Sequence, residues 1–247
     1  MKKDNQFGLV GKNINYSFSK VYFTKKFANS NLTDYSYENF ELKDISEFQN
    51  CILENPNLKG LNVTIPYKES ILPYLNEISK KARKIGAVNT IKFTKEGKLK
   101  GYNTDCYGFE KSLKPLLQKH HKKALILGTG GSSKAVAYAL DKLGIVYTFV
   151  SRVATENTID YNRINATTFD NFQIIINCTP LGTSPNVEIC PYIPYEFFTT
   201  NHIAFDLIYN PEETLFLKKA KKNGAVIKNG MEMLQFQAEK AWLIWNK

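Results

Sequence analysis

The chain has little of what marks a secreted, metal-bound or membrane protein. Its four cysteines, Cys51, Cys106, Cys178 and Cys190, lie far apart and form no C-x-x-C pair. Neither a disulfide framework nor a cysteine zinc site is expected, and the thiols read as free in a reducing compartment. Histidine is scarcer still: there are three, two of them adjacent in the charged run Lys119-His120-His121-Lys122-Lys123. No metal-ligand spacing results, so no metal is expected. Long apolar runs are missing as well. The stretch Phe7 to Val10 near the N-terminus is too short for a signal peptide, and no run approaches the ~20 residues that span a bilayer. These absences predict a cytoplasmic protein with no membrane partner. Internal repeats and low-complexity tracts are also lacking.

Acidic residues are in deficit, 23 against 33 lysines and arginines, for a net charge of +10. A basic balance suits nucleic acid or anionic small ligands. Here the lysines are scattered in pairs such as Lys80-Lys81, Lys218-Lys219 and Lys221-Lys222, with no recognition motif beside them. The expectation is solvated surface charge and no nucleic-acid partner. The 247 residues, 43% hydrophobic, suffice for one large domain or two small ones.

Two series of alternating elements can be read along the chain. In the first, Phe7 to Val10 is a short strand, and Ser19 is a candidate cap for a helix carrying Val21, Tyr22, Phe23 and Phe27. Tyr35 to Leu42 is β-rich, and Asp44 with Glu47 resembles a capping box opening a helix through Leu53. Leu58 to Ile65 reads as a strand ended by Pro66, followed by helix from about Lys68 to Ile85, broken near Pro73. Strands over Ala87–Phe93 and Leu99–Tyr102 flank a turn at Glu96-Gly97. A helix over Thr104–Leu117 leads out. The second series has strands at Ala124–Leu127, Val146–Val150, Ile174–Asn177, Ile203–Ile208 and Ala225–Ile227, helices near 132–143 and 212–223, and a final amphipathic helix from Met231 to Trp245. Such alternation argues an α/β fold with a parallel, doubly wound sheet. The chain reads as two α/β domains with a ligand cleft between them. The boundaries are 1–103, with 231–247 packing back on it, and 104–230.

The most informative block is KALILGTGGSSKAVAYAL at 123–140. An apolar strand runs into Gly128-Thr129-Gly130-Gly131 and a helix follows. Gly128 permits a tight turn, Gly130 lets the backbone approach phosphates, and the helix N-terminus offers N–H groups and its positive dipole end. This is a recipe for holding a dinucleotide pyrophosphate. The next strand ends at Val150-Ser151-Arg152, where an NAD-type site would carry Asp or Glu for the ribose 2′-hydroxyl. Arg152 instead can grip a 2′-phosphate, which favours NADP. In the first series, polar residues recur at strand ends in Tyr16-Ser17-Phe18-Ser19-Lys20, Asn62-Val63-Thr64-Ile65-Pro66-Tyr67-Lys68, Gly86-Ala87-Val88-Asn89-Thr90 and Asn103-Thr104-Asp105. Singly, such Asn and Thr residues cap helices and turns. Together they mark a candidate ligand site.

The motifs NVTIPYK, GAVNT, NTD, GTGGSS, NCTPLG and GMEMLQFQA, in this order over nearly the whole chain, resemble those of the shikimate dehydrogenase family. The resemblance implies an N-terminal substrate domain, a Rossmann-like NADP-binding domain and an NADP-dependent oxidoreductase acting on a CH–OH group. The family's reaction is reversible reduction of 3-dehydroshikimate to shikimate in chorismate and aromatic amino acid biosynthesis. It implies Lys68 and Asp105 as the catalytic pair, the ammonium supplying the proton and the carboxylate orienting it. It implies Ser17 and Ser19 on the substrate carboxylate, Thr64, Asn89 and Asp105 on ring hydroxyls, and Tyr209 and Gln237 at the substrate. Gly128, Thr129, Gly130, Gly131, Ser132, Ser151, Arg152, Thr179 and Gly230 would line the NADP(H) site. The assembly would be a monomer or homodimer. There are departures: Tyr16 and Lys20 stand where the family pattern has histidine and proline, Val153 and Glu156 follow Arg152, and Arg152 to Phe172 is short for the helix usual there. Alternatives are a relative acting with NAD or on quinate or another hydroxylated ring acid, and a silent NADP-binding sensor. Retention of both Lys68 and Asp105 argues against the sensor.

Overall fold

The computed structural model describes residues 3–14 and 17–247. The chain divides into two compact units, Met1–Thr104 with Ala238–Lys247, and Asp105–Gln237.

The first unit is a six-stranded sheet with helices. Its elements are β1 (Asn5–Gly11), α1 (Phe18–Asn29), β2 (Tyr35–Glu41), α2 (Phe48–Leu53), β3 (Leu58–Val63), β4 (Glu77–Ile78), α3 (Lys80–Ile85), β5 (Thr90–Phe93) and β6 (Leu99–Tyr102). The strand order is β2-β1-β3-β5-β6-β4. The sheet is mixed, not wholly parallel: β5 runs against β3 and β6, because the tight turn with Gly97 at φ +76° folds β5 back onto β6. The cap of α1 is Ser17, not Ser19: Ser17 has extended backbone and its hydroxyl accepts the Lys20 N–H at 3.4 Å, while Ser19 lies inside the helix. Asp44 caps a 3-10 turn at Ile45–Glu47 ahead of α2, and the Glu47 carboxylate receives the Lys43 N–H, so no capping box closes on Asp44. The helix expected over 68–85 forms only at its end. Residues 65–71 are turns, Pro73 sits in the 3-10 turn Leu72–Tyr74, and only α3 is α-helical. Lys68 is therefore a turn residue.

An aromatic core holds this unit together. Phe7, Phe23, Phe27 and Tyr37 pack with Trp242 and Trp245 from the closing residues. The Phe7 and Trp245 rings are 4.9 Å apart and those of Phe23 and Tyr37 4.7 Å. Trp245 lies over Gly60, where a Cβ would strike its indole, and its Nε1–H donates to the Ile91 carbonyl at 2.9 Å. Glu239 accepts from the Lys26 ammonium at 2.8 Å and from the Tyr22 hydroxyl.

The second unit comprises α4 (Asp105–Leu113), β7 (Lys123–Leu127), α5 (Gly131–Lys142), β8 (Val146–Ser151), β9 (Thr158–Asp160), α6 (Ala166–Asn171), β10 (Ile174–Asn177), β11 (Ile203–Asp206), α7 (Leu215–Lys222), β12 (Val226–Lys228) and α8 (Met231–Trp245), which ends in the first unit. All six strands are parallel in the order β12-β11-β10-β7-β8-β9. That is the doubly wound order with its switch point between β7 and β10. The apolar strands β7, β10 and β11 are buried on both faces almost throughout. The α4 helix is shorter than the expected Thr104–Leu117 because Pro115 lies in a 3-10 turn after it.

The β8–β9 connection differs from the usual crossover. Residues 152–157 join two parallel strands without a helix, where about a dozen residues are ordinarily needed. The loop closes on itself: the Thr155 N–H donates to Thr158 Oγ1 at 2.9 Å, and Thr158 Oγ1 donates to the Val153 carbonyl at 3.3 Å. A hollow of about 960 Å³ opens beside it, walled by Tyr147, Phe149, Asp141, Glu156 and Thr158.

Candidate functional site

In the first unit, the polar motifs meet at one end of the sheet. β3 ends at Asn62-Val63, β5 begins at Thr90 and β6 ends at Tyr102, with Asn62 opposite Thr90 and Thr90 opposite Tyr102. Asn89 is buried and organises the group. Its Oδ1 accepts the Thr104 N–H at 2.7 Å, and its amide donates to Thr104 Oγ1 at 3.0 Å. Thr90 and Thr104 hydroxyls lie 3.1 Å apart. The Asn62 amide donates to the Asn89 carbonyl at 3.2 Å, and Asn62 Oδ1 accepts the Tyr37 hydroxyl at 2.8 Å. Burial drives the Tyr37 phenol far above its ordinary pKa. A continuous polar chain thus runs from Tyr37 through Asn62 and Asn89 to Thr104.

Thr64 follows β3, and a cis Ile65–Pro66 bond turns the chain toward Lys68. The Lys68 carbonyl accepts the Val88 N–H at 2.8 Å, and the Val63 N–H donates to the Asn89 carbonyl at 2.9 Å. Lys68 is half-buried. The Asn103 amide donates to the Ala87 carbonyl at 3.0 Å. These bonds bring Thr64, Lys68, Asn89 and Thr104 together on one sheet end. Asp105, buried, is the next residue after Thr104 and opens α4, where the helix dipole favours a carboxylate. Ser17 caps α1 at half burial and Ser19 is buried behind it. Tyr16 lies outside the described residues.

In the second unit, Leu127, Val150, Asn177 and Asp206 form one register row at the carboxyl ends of β7, β8, β10 and β11. The candidate cofactor residues follow directly on this row. Gly128 has φ +103°, which demands glycine, and a Cβ there would meet Thr179 Cγ2 at 3.2 Å. Gly130 is the cap of α5 with no side-chain cap bond, and a Cβ on it would point into open space. The first N–H groups of α5, from Gly131 and Ser132, therefore stand beside an unobstructed backbone, as a pyrophosphate requires. Thr129 is exposed, and Ser151 with exposed Arg152 ends β8. Thr179 is held by Asn177, whose Oδ1 accepts both its N–H at 3.0 Å and its hydroxyl at 2.7 Å. Tyr209 is half-buried after β11. Gly230 presses on the Leu207 backbone, where a Cβ would clash, and its N–H donates to the Ile208 carbonyl at 2.9 Å. Gln237 is buried in α8, its amide donating to the Leu234 carbonyl at 2.9 Å. The residues of this unit fit a dinucleotide.

Residues 9–91 match the profile of the shikimate dehydrogenase substrate binding domain. A shikimate dehydrogenase (NADP(+)) of Clostridium botulinum strain Hall is 42% identical over 96% of this chain and 95% of its own. The chain belongs to the shikimate dehydrogenase family. The crystal structure of the Aquifex aeolicus member superposes with a TM-score of 0.87 at 35% identity, over 98% of this chain and 92% of that one. The Thermus thermophilus member, solved with NADP(H) and shikimate, gives 0.85 at 29% identity over 97% and 92%. The α/β fold expected for the family is thus present.

Three side chains of this chain's site were not singled out by sequence reasoning: Tyr37, Asn177 and Asp206. The signal for two of them is visible. Ile174-Ile175-Ile176-Asn177 and Ile203-Ala204-Phe205-Asp206 are apolar strands each ending on one polar residue. Tyr37 gives no such signal in an alternating, aromatic strand. Among the described residues no helix is long and apolar enough to cross a membrane, and no three His, Cys, Asp or Glu side chains gather as a metal site.

Proposed function

We propose that this chain catalyses the reversible NADPH-dependent reduction of 3-dehydroshikimate to shikimate. The observation that carries the reading is the 42% identity, over 96% of the chain, with a shikimate dehydrogenase (NADP(+)). The polar sheet end and the glycine turn support it. Bound NADPH supplies the hydride. The chain's residues bind, orient and move the proton. The Lys68 ammonium gives its proton to the carbonyl oxygen and recovers it in the reverse direction. Asp105 orients that ammonium and accepts a hydrogen bond from a ring hydroxyl. Ser17 and Ser19 donate to the substrate carboxylate without adding charge. Thr64 and Asn89 hold ring hydroxyls, Asn89 with its amide already aligned by Thr104. Tyr209 and Gln237 complete the substrate contacts.

NADP(H) would be held by Gly128, Thr129, Gly130, Gly131 and Ser132 at its pyrophosphate, by Ser151 and Arg152 at the 2′-phosphate, and by Thr179 and Gly230 elsewhere along the molecule. Arg152 is a planar, permanently charged fork suited to that phosphate. The same reading makes the ligands small molecules, with no nucleic acid, in the cytoplasm. Nicotinamide reduction followed at 340 nm tests it: turnover is expected with shikimate and NADP⁺, and its absence would overturn the reading.

A further inference from the structure

Asp206 is fully buried at the end of β11, and the functional reading gives it no role. Its two oxygens collect three donors from three segments. Oδ1 accepts the Asn177 amide at 3.1 Å and the Ile208 N–H at 3.0 Å, and Oδ2 accepts the Thr214 hydroxyl at 2.6 Å. Each donor continues into a different element. Asn177 holds the N–H and hydroxyl of Thr179. Ile208 precedes Tyr209, and its carbonyl receives the Gly230 N–H. Thr214 caps α7 through the Leu217 N–H. Main-chain bonds run alongside: the Leu207 N–H donates to the Asn177 carbonyl at 3.0 Å, and the Ser184 N–H to the Asn210 carbonyl at 3.2 Å.

Resting on the proposed function, the geometry points to Asp206 as a positioning residue that fixes the Thr179 turn and the Tyr209 loop in one register at the carboxyl ends of β10 and β11. A carboxylate suits this task because it offers acceptors only, on two oxygens, and bonds to a charged acceptor are shorter and stronger than neutral ones. Desolvation pushes its pKa up to about 6, while the Thr214, Ile208 and Asn177 donors pull it back. Loss of the carboxylate leaves three buried donors without their acceptor and leaves the two loops tied only by their main-chain bonds. One loop carries a proposed cofactor contact and the other a proposed substrate contact, so binding and turnover fall together.

The test compares wild type, Asp206→Ala, Asp206→Asn and Thr214→Val. NADP⁺ affinity is measured by titration calorimetry and kcat with shikimate and NADP⁺ well below the unfolding temperature. Asp206→Ala is expected to weaken NADP⁺ binding and lower kcat by about tenfold each. Asp206→Asn keeps the shape and one acceptor oxygen and recovers both to within about fivefold. Thr214→Val removes a single donor, shifts both in the same direction by about threefold, and stands in if Asp206→Ala does not fold. A folded Asp206→Ala protein with a lower Tm but unchanged NADP⁺ affinity and kcat would reduce Asp206 to a structural role and overturn the proposal. A wild-type protein that binds NADP⁺ without turning over shikimate would overturn the functional reading instead, while the affinity comparison still decides the positioning role.

Discussion

The carbonyl of Lys68 accepts the N–H of Val88 at 2.8 Å. The proposed proton donor is therefore anchored through its backbone to the loop that presents Asn89. Lys68→Ala is expected to fold with an unchanged Tm and to bind NADP⁺ as wild type does, while kcat falls by about 10²–10⁴-fold, the range for loss of a general acid. Steady-state kinetics with calorimetric NADP⁺ binding checks this. Equal loss of binding and turnover would remove the assigned role.

Two glycines of the second unit separate a functional from a packing requirement. A Cβ on Gly130 meets nothing, whereas one on Gly230 strikes the Leu207 backbone. Gly130→Ala is thus expected to leave Tm unchanged and to weaken NADP⁺ binding at least tenfold by blocking the approach of the pyrophosphate. Gly230→Ala is expected to destabilise the fold by about 1–3 kcal/mol through overpacking. Denaturant unfolding beside an NADP⁺ titration distinguishes them.

Arg152 is exposed at the end of β8, next to a loop that carries Glu156. If it grips the 2′-phosphate, Arg152→Gln weakens NADP⁺ binding by about tenfold or more, the worth of a charge-assisted bond, and leaves NAD⁺ binding unchanged. Parallel titrations with the two cofactors read the difference directly. An equal effect on both would assign Arg152 elsewhere.

Acid should weaken the second unit through His121. Its Nδ1 accepts the Gln118 N–H at 2.8 Å and its Nε2 faces the Asn201 carbonyl at 3.2 Å, which requires a neutral ring with hydrogen on Nε2. Burial first, and His120 second, hold its pKa below the ordinary 6.5. The unfolded chain then binds a proton more readily than the fold, so stability is lost as pH falls through about 6.5. Asp206 acts in the opposite sense: with its pKa raised from 3.8 to about 6, acidification over that interval stabilises the fold. The comparison of wild type with His121→Gln isolates the first effect. On going from pH 7.5 to 5.5 the urea midpoint should fall further, or rise less, in wild type than in the variant, and an equal change in both would contradict the histidine account.

The second unit was the more legible part of the sequence. Its apolar strands β7, β10 and β11 and the glycine turn after β7 all lie close to where the pattern places them, because buried parallel strands leave continuous apolar runs. The first unit was harder. The 68–85 region has helical composition, yet Pro73 and the pairing of β4 with β6 keep most of it from being helix. Ser17 and Ser19 are both plausible caps by type, and only the backbone at Ser17 decides between them. The candidate site residues could be named from motifs, but Tyr37, which donates to Asn62, could not, and Asp206 shows only as the polar end of an apolar strand. Their importance comes from hydrogen bonds to residues 25 and 29 positions away, and a single sequence does not display such pairings.

The central claim is the reaction, and its most direct test is a spectrophotometric assay of the purified protein with shikimate or quinate, each with NADP⁺ or NAD⁺. The account predicts rapid reduction of NADP⁺ by shikimate and little in the other three combinations. Turnover of quinate alone, or no turnover in any combination by a protein that binds NADP⁺, would contradict it.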